Sequence, residues 1–147
     1  MTRTATMRKQ HDAIVELAGE IAAGIESLNT PLDAERLMRT LNRLNGLLTA
    51  HLASEDTFLY PAMRASADQR TAETAAAFGQ EMGGLMAAYS QFTARWADGP
   101  SIFANKAEFA CDWRALLKRL AGRIERENLV LYPLADAMDD ARVQRRA

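Results

Sequence analysis

An all-α fold, an antiparallel up-down-up-down four-helix bundle, is predicted by three observations. Apolar residues recur at alternating steps of three and four along four long stretches, the pattern of a helix with one buried face. The composition favours helix: 48% of the 147 residues are hydrophobic, only four are proline and eight glycine, and no stretch alternates as a strand would. Short turns separate the stretches, which sets consecutive helices antiparallel.

The first helix is expected over about 5–28, with Met7, His11, Ile14, Ala18, Ile21, Ile25 and Leu28 on one face. Asn29-Thr30-Pro31 ends it, because proline cannot continue a helix but starts the next one well. The second, about 33–65, carries Leu37, Leu41, Leu44, Leu48, His51, Glu55, Leu59 and Ala62, and stops at Ser66-Ala67-Asp68. The third, about 69–96, presents Phe78, Met82, Leu85, Tyr89, Phe92 and Trp96, with Met86 adjoining. Ala97-Asp98-Gly99-Pro100-Ser101 is a turn in which Ser101 is available as a cap. The fourth helix, about 103–138, shows Trp113, Leu116, Leu120, Arg123, Glu127, Val130 and Leu134. The chain has the length of one domain, here residues 1–147 with a core over about 5–138.

Charge narrows the function classes. Eighteen basic and 19 acidic residues are well mixed, giving a net charge of −1 and no electrostatic footprint for nucleic acid or an anionic membrane. The basic ends (Arg3, Arg8, Lys9; Arg142, Arg145, Arg146) read as solvated termini. A lone Cys111 excludes an internal disulfide and a thiolate metal cluster. The first ten residues lack an apolar leader core and no run is long enough to span a bilayer, so the expected location is cytoplasmic and the expected partner a protein or small molecule of unassigned identity.

Chemistry enters through a repeat. His51-Leu52-Ala53-Ser54-Glu55-Asp56-Thr57-Phe58-Leu59-Tyr60-Pro61 aligns without gaps on Arg123-Ile124-Glu125-Arg126-Glu127-Asn128-Leu129-Val130-Leu131-Tyr132-Pro133, 72 positions later. The first copy opens His-x3-Glu, which stacks two metal-ligating side chains one turn apart on the same face. The second opens Arg-x3-Glu, and an arginine cannot ligate because it stays protonated and has no free lone pair. His11 lies about as far before the Pro31 turn as His51 lies after it, so both fall at one level of an antiparallel pair. Such polar groups on apolar stripes must satisfy one another, hold a cation or open onto water, since burying one alone costs roughly 2–7 kcal/mol. An imidazole–carboxylate hydrogen bond without metal is the alternative that the same spacing permits.

These residues resemble the hemerythrin-like, HHE cation-binding family. The resemblance rests on His11-Asp12, on His51-x3-Glu55 followed by Leu59-Tyr60-Pro61, and on Glu127 to Pro133, and so runs over nearly the whole chain. It implies a bundle holding a non-haem diiron centre with histidines from all four helices and two bridging carboxylates, in proteins that bind or sense oxygen, handle iron or nitric oxide, or assist iron–sulfur repair. By position His11 and His51 match the histidines of one iron, and Glu55 and Glu127 the bridging carboxylates. The other iron lacks its histidines: Glu81 is followed by Met82, Met86 stands where some members have a second histidine, and Arg123 takes the fourth-helix position.

The expectation is a degenerate site that keeps at most one ion on His11, His51, Glu55 and Glu127. Two imidazoles and two carboxylates suit Fe(II), Zn(II) or Mn(II). Arg123 would replace the second ion, neutralising a carboxylate with a bidentate fork, while Met82 and Met86 fill the space of lost imidazoles. A cation-binding or sensor-type protein is expected before an enzyme, no catalytic acid–base or nucleophile set being evident beyond these residues. The alternatives are a metal-free bundle that binds a partner or small ligand, and a mononuclear iron protein acting on peroxide or nitric oxide.

Overall fold

The computed structural model describes residues 3–146, except for the side chains of residues 82 and 83. The expectation for Met82 therefore lies outside the described residues. Secondary structure within that range is entirely helical: α1 (Arg3–Glu26), α2 (Pro31–Ser54), α3 (Tyr60–Arg64), α4 (Gln69–Arg95), α5 (Gly99–Ala104), α6 (Lys106–Arg126) and α7 (Tyr132–Arg146). Two π-turns, Glu55–Leu59 and Glu127–Leu131, join α2 to α3 and α6 to α7 without a break.

Local chemistry sets the boundaries. Thr30 caps α2 by accepting from the Asp33 amide, and Asp33 returns a bond to the Thr30 amide, while Pro31 supplies a first-turn residue with no amide to satisfy. Asp68 caps α4 by accepting from the Thr71 amide and hydroxyl. At the Gly99-Pro100 turn the cap is Asp98, which accepts from the Ser101 amide; Ser101 itself is the third residue of α5. That short helix was not expected as a separate element. It ends where Asn105 leaves helical geometry (φ −136°, ψ 49°), so the fourth long stretch starts only at Lys106.

Each π-turn has an identifiable cause. Pro61 and Pro133 lack the amide that an α-helix would donate to the carbonyl four residues back, and their rings crowd that carbonyl. The chain widens by one residue instead, with the Tyr60 amide donating to the Glu55 carbonyl and the Tyr132 amide to the Glu127 carbonyl. This wide turn corrects the expected fourth stripe. Val130 is 41% exposed, and the buried residues after Glu127 are Leu131, Tyr132 and Ala135.

Long-range contacts hold the helices with residue numbers running in opposite order. His51 meets Gln10, Arg43 meets Glu20 and Leu37 lies against Gly24, which pairs α1 with α2. Arg126 pairs with Glu81, and Arg95 with Asp112 at 2.8 Å, along α6 and α4. Arg3 pairs with Asp139 and Arg8 with Asp136, tying α1 to α7. Between them Ile14, Ile21, Leu44, Leu48, Met63, Phe109 and Trp113 are essentially inaccessible. Met86 is half-buried against this core. No helix among the described residues is long and apolar enough to cross a membrane.

Candidate metal centre

Four side chains that can ligate a metal converge where the apolar stripes are interrupted. His11, His51, Glu55 and Glu127 are each at most 1% exposed, and one ligating atom from each lies within 4.8 Å of all the others. His11 comes from the middle of α1 and His51 from the last turn of α2, while each glutamate opens a π-turn. The π-turn begins at the ligating position in both halves.

Three separations among the donor atoms are those of neighbouring ligands on one ion, within a group that spans up to 4.8 Å. His11 Nε2 is 3.0 Å from His51 Nε2 and 3.2 Å from Glu127 Oε1, and His51 Nε2 is 3.0 Å from Glu55 Oε1. Ligands bound at about 2.0–2.2 Å to one ion lie about 2.9–3.5 Å apart. The remaining ring nitrogens fix the tautomers. His11 Nδ1 is 2.8 Å from Asn128 Oδ1 and His51 Nδ1 is 2.7 Å from Gln10 Oε1, and because amide oxygens only accept, both Nδ1 atoms carry the proton. The two Nε2 atoms then face each other, 3.0 Å apart.

Counting hydrogens sharpens this. Six acceptors point inward, namely two Nε2 atoms and four carboxylate oxygens, against four donor hydrogens, one on each of two phenols and two on Arg123 Nη2. Tyr60 donates to Glu127 Oε2 at 3.0 Å and Tyr132 to Glu55 Oε2 at 3.0 Å, each tyrosine serving the glutamate of the other repeat. Tyr132 Oη is also 3.1 Å from His11 Nε2, but its single hydrogen cannot serve both. Glu127 Oε1 is left without a hydrogen bond among the described residues. The donor set is short of positive charge at the point where His11 Nε2, His51 Nε2, Glu55 Oε1 and Glu127 Oε1 meet. The chemistry of that set fits a divalent first-row cation.

The electrostatics agree. Burial, aided by His11, pulls the His51 pKa down to about 4, so its Nε2 is unprotonated at neutral pH and free to ligate. Burial, reinforced by neighbouring Glu55, raises Glu127 above the usual carboxylate range, against the pull of His11 and Arg123. Burial likewise raises Tyr60 and Tyr132, with the two carboxylates adding to it, so both remain phenolic donors.

Arg123 lies beside this cluster, its side chain 10% exposed. Its Nη2 reaches Glu55 Oε1 and Glu127 Oε2 at 3.1 Å each. The expected bidentate fork is thus replaced by one nitrogen bridging both carboxylates. Burial alone would lower its pKa, but Glu127, Tyr60 and Glu55 outweigh that and hold it fully charged. Met86 has no described contact with this group, and its position is accounted for by core packing.

A match over residues 2–135 to the family model of the hemerythrin HHE cation-binding domain decides the affiliation. The chain belongs to the hemerythrin HHE family. No curated protein and no solved structure matches it. For this HHE domain the sequence pattern pointed to all four cluster residues but not to their supports. Tyr60 and Tyr132, each next to a proline, suggest an end or bend of the helix and only faintly a polar role, although their duplication beside Pro61 and Pro133 is the signal that both halves use them alike. Gln10 and Asn128 gave no sequence signal. Each is recognisable only from its contact with an imidazole across the fold.

Those two supports carry a prediction. Gln10→Ala and Asn128→Ala each free an imidazole to rotate and change tautomer, and each should weaken metal binding by roughly 10–100-fold while leaving the helical signal intact. Competition with a coloured chelator reads the affinity. Unchanged affinity in both variants would show that the rings are held by packing alone.

Proposed function

We propose that the protein is a cation-binding HHE domain of the sensor type that holds one ion, on His11, His51, Glu55 and Glu127, and carries Arg123 in place of a second. The reading takes the long helical stretches as an up-down-up-down bundle around that layer. The observation that carries it is the pair of Nε2 lone pairs 3.0 Å apart, each oriented by an amide oxygen on its Nδ1. Two such lone pairs repel unless a metal ion or a shared proton lies between them.

An ion bound there supplies a Lewis-acidic centre, with a one-electron redox couple when it is iron. The chain's own residues do the rest. Tyr60 and Tyr132 hold the outer carboxylate oxygens, so that Oε1 of each glutamate turns to the imidazoles. Arg123 supplies a fixed positive charge shared by Glu55 Oε1, the oxygen that also faces His51, and Glu127 Oε2, where a second ion would otherwise balance the carboxylates. No further imidazole is available there: the chain's two histidines are both in the cluster. The arrangement supports binding and sensing over turnover, because Arg123 and both phenols stay protonated at neutral pH and the carboxylates are engaged.

Elemental analysis of protein purified without chelator tests the proposal, followed by titration of the stripped protein with Fe(II), Mn(II) and Zn(II). One ion per chain is expected for at least one of them, with helicity retained after stripping because Arg123 already neutralises part of the carboxylate charge. Two ions per chain would remove the role given to Arg123. No binding of any of the three would leave a metal-free hydrogen-bonded network as the better reading.

A further inference from the structure

Arg123 has a second side. Its Nη2 hydrogens go to Glu55 and Glu127, but Nε and Nη1 are buried and have no hydrogen-bond partner among the described residues. Buried guanidinium N–H groups without acceptors are costly, which makes them a sign of something that completes them. The same residue lines a groove of about 530 Å³ between α4 and α6, together with Phe78, Leu85, Lys118, Arg119 and Arg126. That volume suits a small organic molecule.

The groove is cationic. Glu81, its only acidic lining residue, is paired with Arg126. Lys118 and Arg119 have no acidic partner among the described residues. Gly84 lets Arg119 lie close to the α4 backbone: a Cβ there would come within 3.1 Å of Arg119 Nη2. On the opposite wall Gly122 sits inside α6, where glycine costs about 1 kcal/mol relative to alanine, yet a Cβ at that position would meet nothing within 4 Å. Steric need therefore does not explain that glycine, and a Cβ placed there would meet open space, as at Gly19 and Gly46. Phe78 and Leu85, each 5% exposed, line the floor of the groove, with the Arg126 guanidinium lying over the Phe78 ring at 4.8 Å.

The geometry points to a binding site for a small organic oxyanion, a carboxylate or phosphomonoester on an apolar body about the size of one aromatic ring. Its charged end meets Lys118 and Arg119 at the rim, above the covered Nε–Nη1 edge of Arg123, and its body lies against Leu85 and the Arg126 guanidinium that covers the Phe78 ring at 4.8 Å. Guanidinium hydrogen bonds to such oxygens are charge-assisted and directional. Through Arg123 the anion is one side chain away from Glu55 and Glu127. The site does not depend on whether an ion is held by the histidines, since none of its other lining residues belongs to the metal cluster.

Phenyl phosphate and phenylacetate are the probes, with benzyl alcohol as the neutral control, titrated into isotopically labelled protein of measured metal content while the Gly84 and Gly122 amide signals are followed. At least one anion should saturate these shifts below about 10 mM, an affinity near the weak end for small ligands. The alcohol should not. Gly122→Leu fills the groove without touching a neighbour, and it should weaken binding by about tenfold or more with unfolding temperature unchanged or raised. Arg119→Glu, on the surface, should weaken it by a similar factor. Preference for one anion identifies the headgroup and supports the site. Absence of binding by both, equal binding of the alcohol, or indifference to Gly122→Leu overturns it. Metal content is read separately through His51, so the two proposals fail independently.

Discussion

Arg123→Ala is expected to destabilise the protein by about 3–5 kcal/mol, the usual consequence of removing one partner from a buried ion pair. The expectation follows from position. Among the described residues Nη2 is the one cationic group bonded to both Glu55 and Glu127, and the side chain is only 10% exposed, so the pair is largely withdrawn from solvent. Without it two carboxylates at the same level would share the hydrogens of Tyr60 and Tyr132 alone. Urea denaturation should show a lower midpoint at unchanged slope, since the surface exposed on unfolding is nearly the same. Arg123→Lys should recover part of the loss, because an ammonium restores the charge but not the planar reach. If alanine proved neutral, the guanidinium would have no structural part in the cluster and its assignment as an ion replacement would fall.

His51→Ala should abolish metal binding, a loss larger than the roughly 10–100-fold expected for removing an outer hydrogen-bond partner. His51 faces both His11 Nε2 and Glu55 Oε1 at 3.0 Å, so its removal takes one ligand and frees the orientation of two others. Met86→Leu, in the half-buried packing layer, should leave affinity unchanged. Calorimetric titration of the stripped proteins separates the two outcomes. Metal retained by His51→Ala but lost by Met86→Leu would place the ion on the wrong side of the bundle.

The helical stretches and the polar layer were legible because both arise from periodicity. A residue pattern at 3.6 per turn marks which side chains face inward, and His11, His51, Glu55 and Glu127 stood out as ionisable groups on apolar stripes. The expected helices run past Tyr60-Pro61 and Tyr132-Pro133, as the structure has them, but the pattern does not show the wide turn that each pair imposes. Proline removes one hydrogen bond, and whether the chain breaks or widens depends on tertiary packing, here the burial of Tyr60 and Tyr132 to 1% exposure or less. Val130 was misplaced for the same reason, since a fixed period runs out of phase after a wide turn. Gln10 and Asn128 were illegible because a surface-type amide acquires a role only from what lies opposite. Asp98 and Asn105, which set off α5, acted through local dihedrals that leave no periodic trace.

The two π-turns also invert the usual relation between exposure and tolerance. Phe58 and Leu129 are 67% and 69% exposed, on surface where an added or missing residue is ordinarily absorbed. Here the count is fixed from beneath. The wide turn already absorbs one residue, so a further residue added between Glu55 and Tyr60 would swing everything beyond it by about 100° around the helix axis. Tyr60 would leave Glu127, Met63 would leave the core, and the opposite repeat would lose its phenol although nothing in it had changed. Substitution at Phe58 or Leu129 is free, but a further insertion is not, and added residues should be excluded from these two outer turns while the neighbouring surface accepts them.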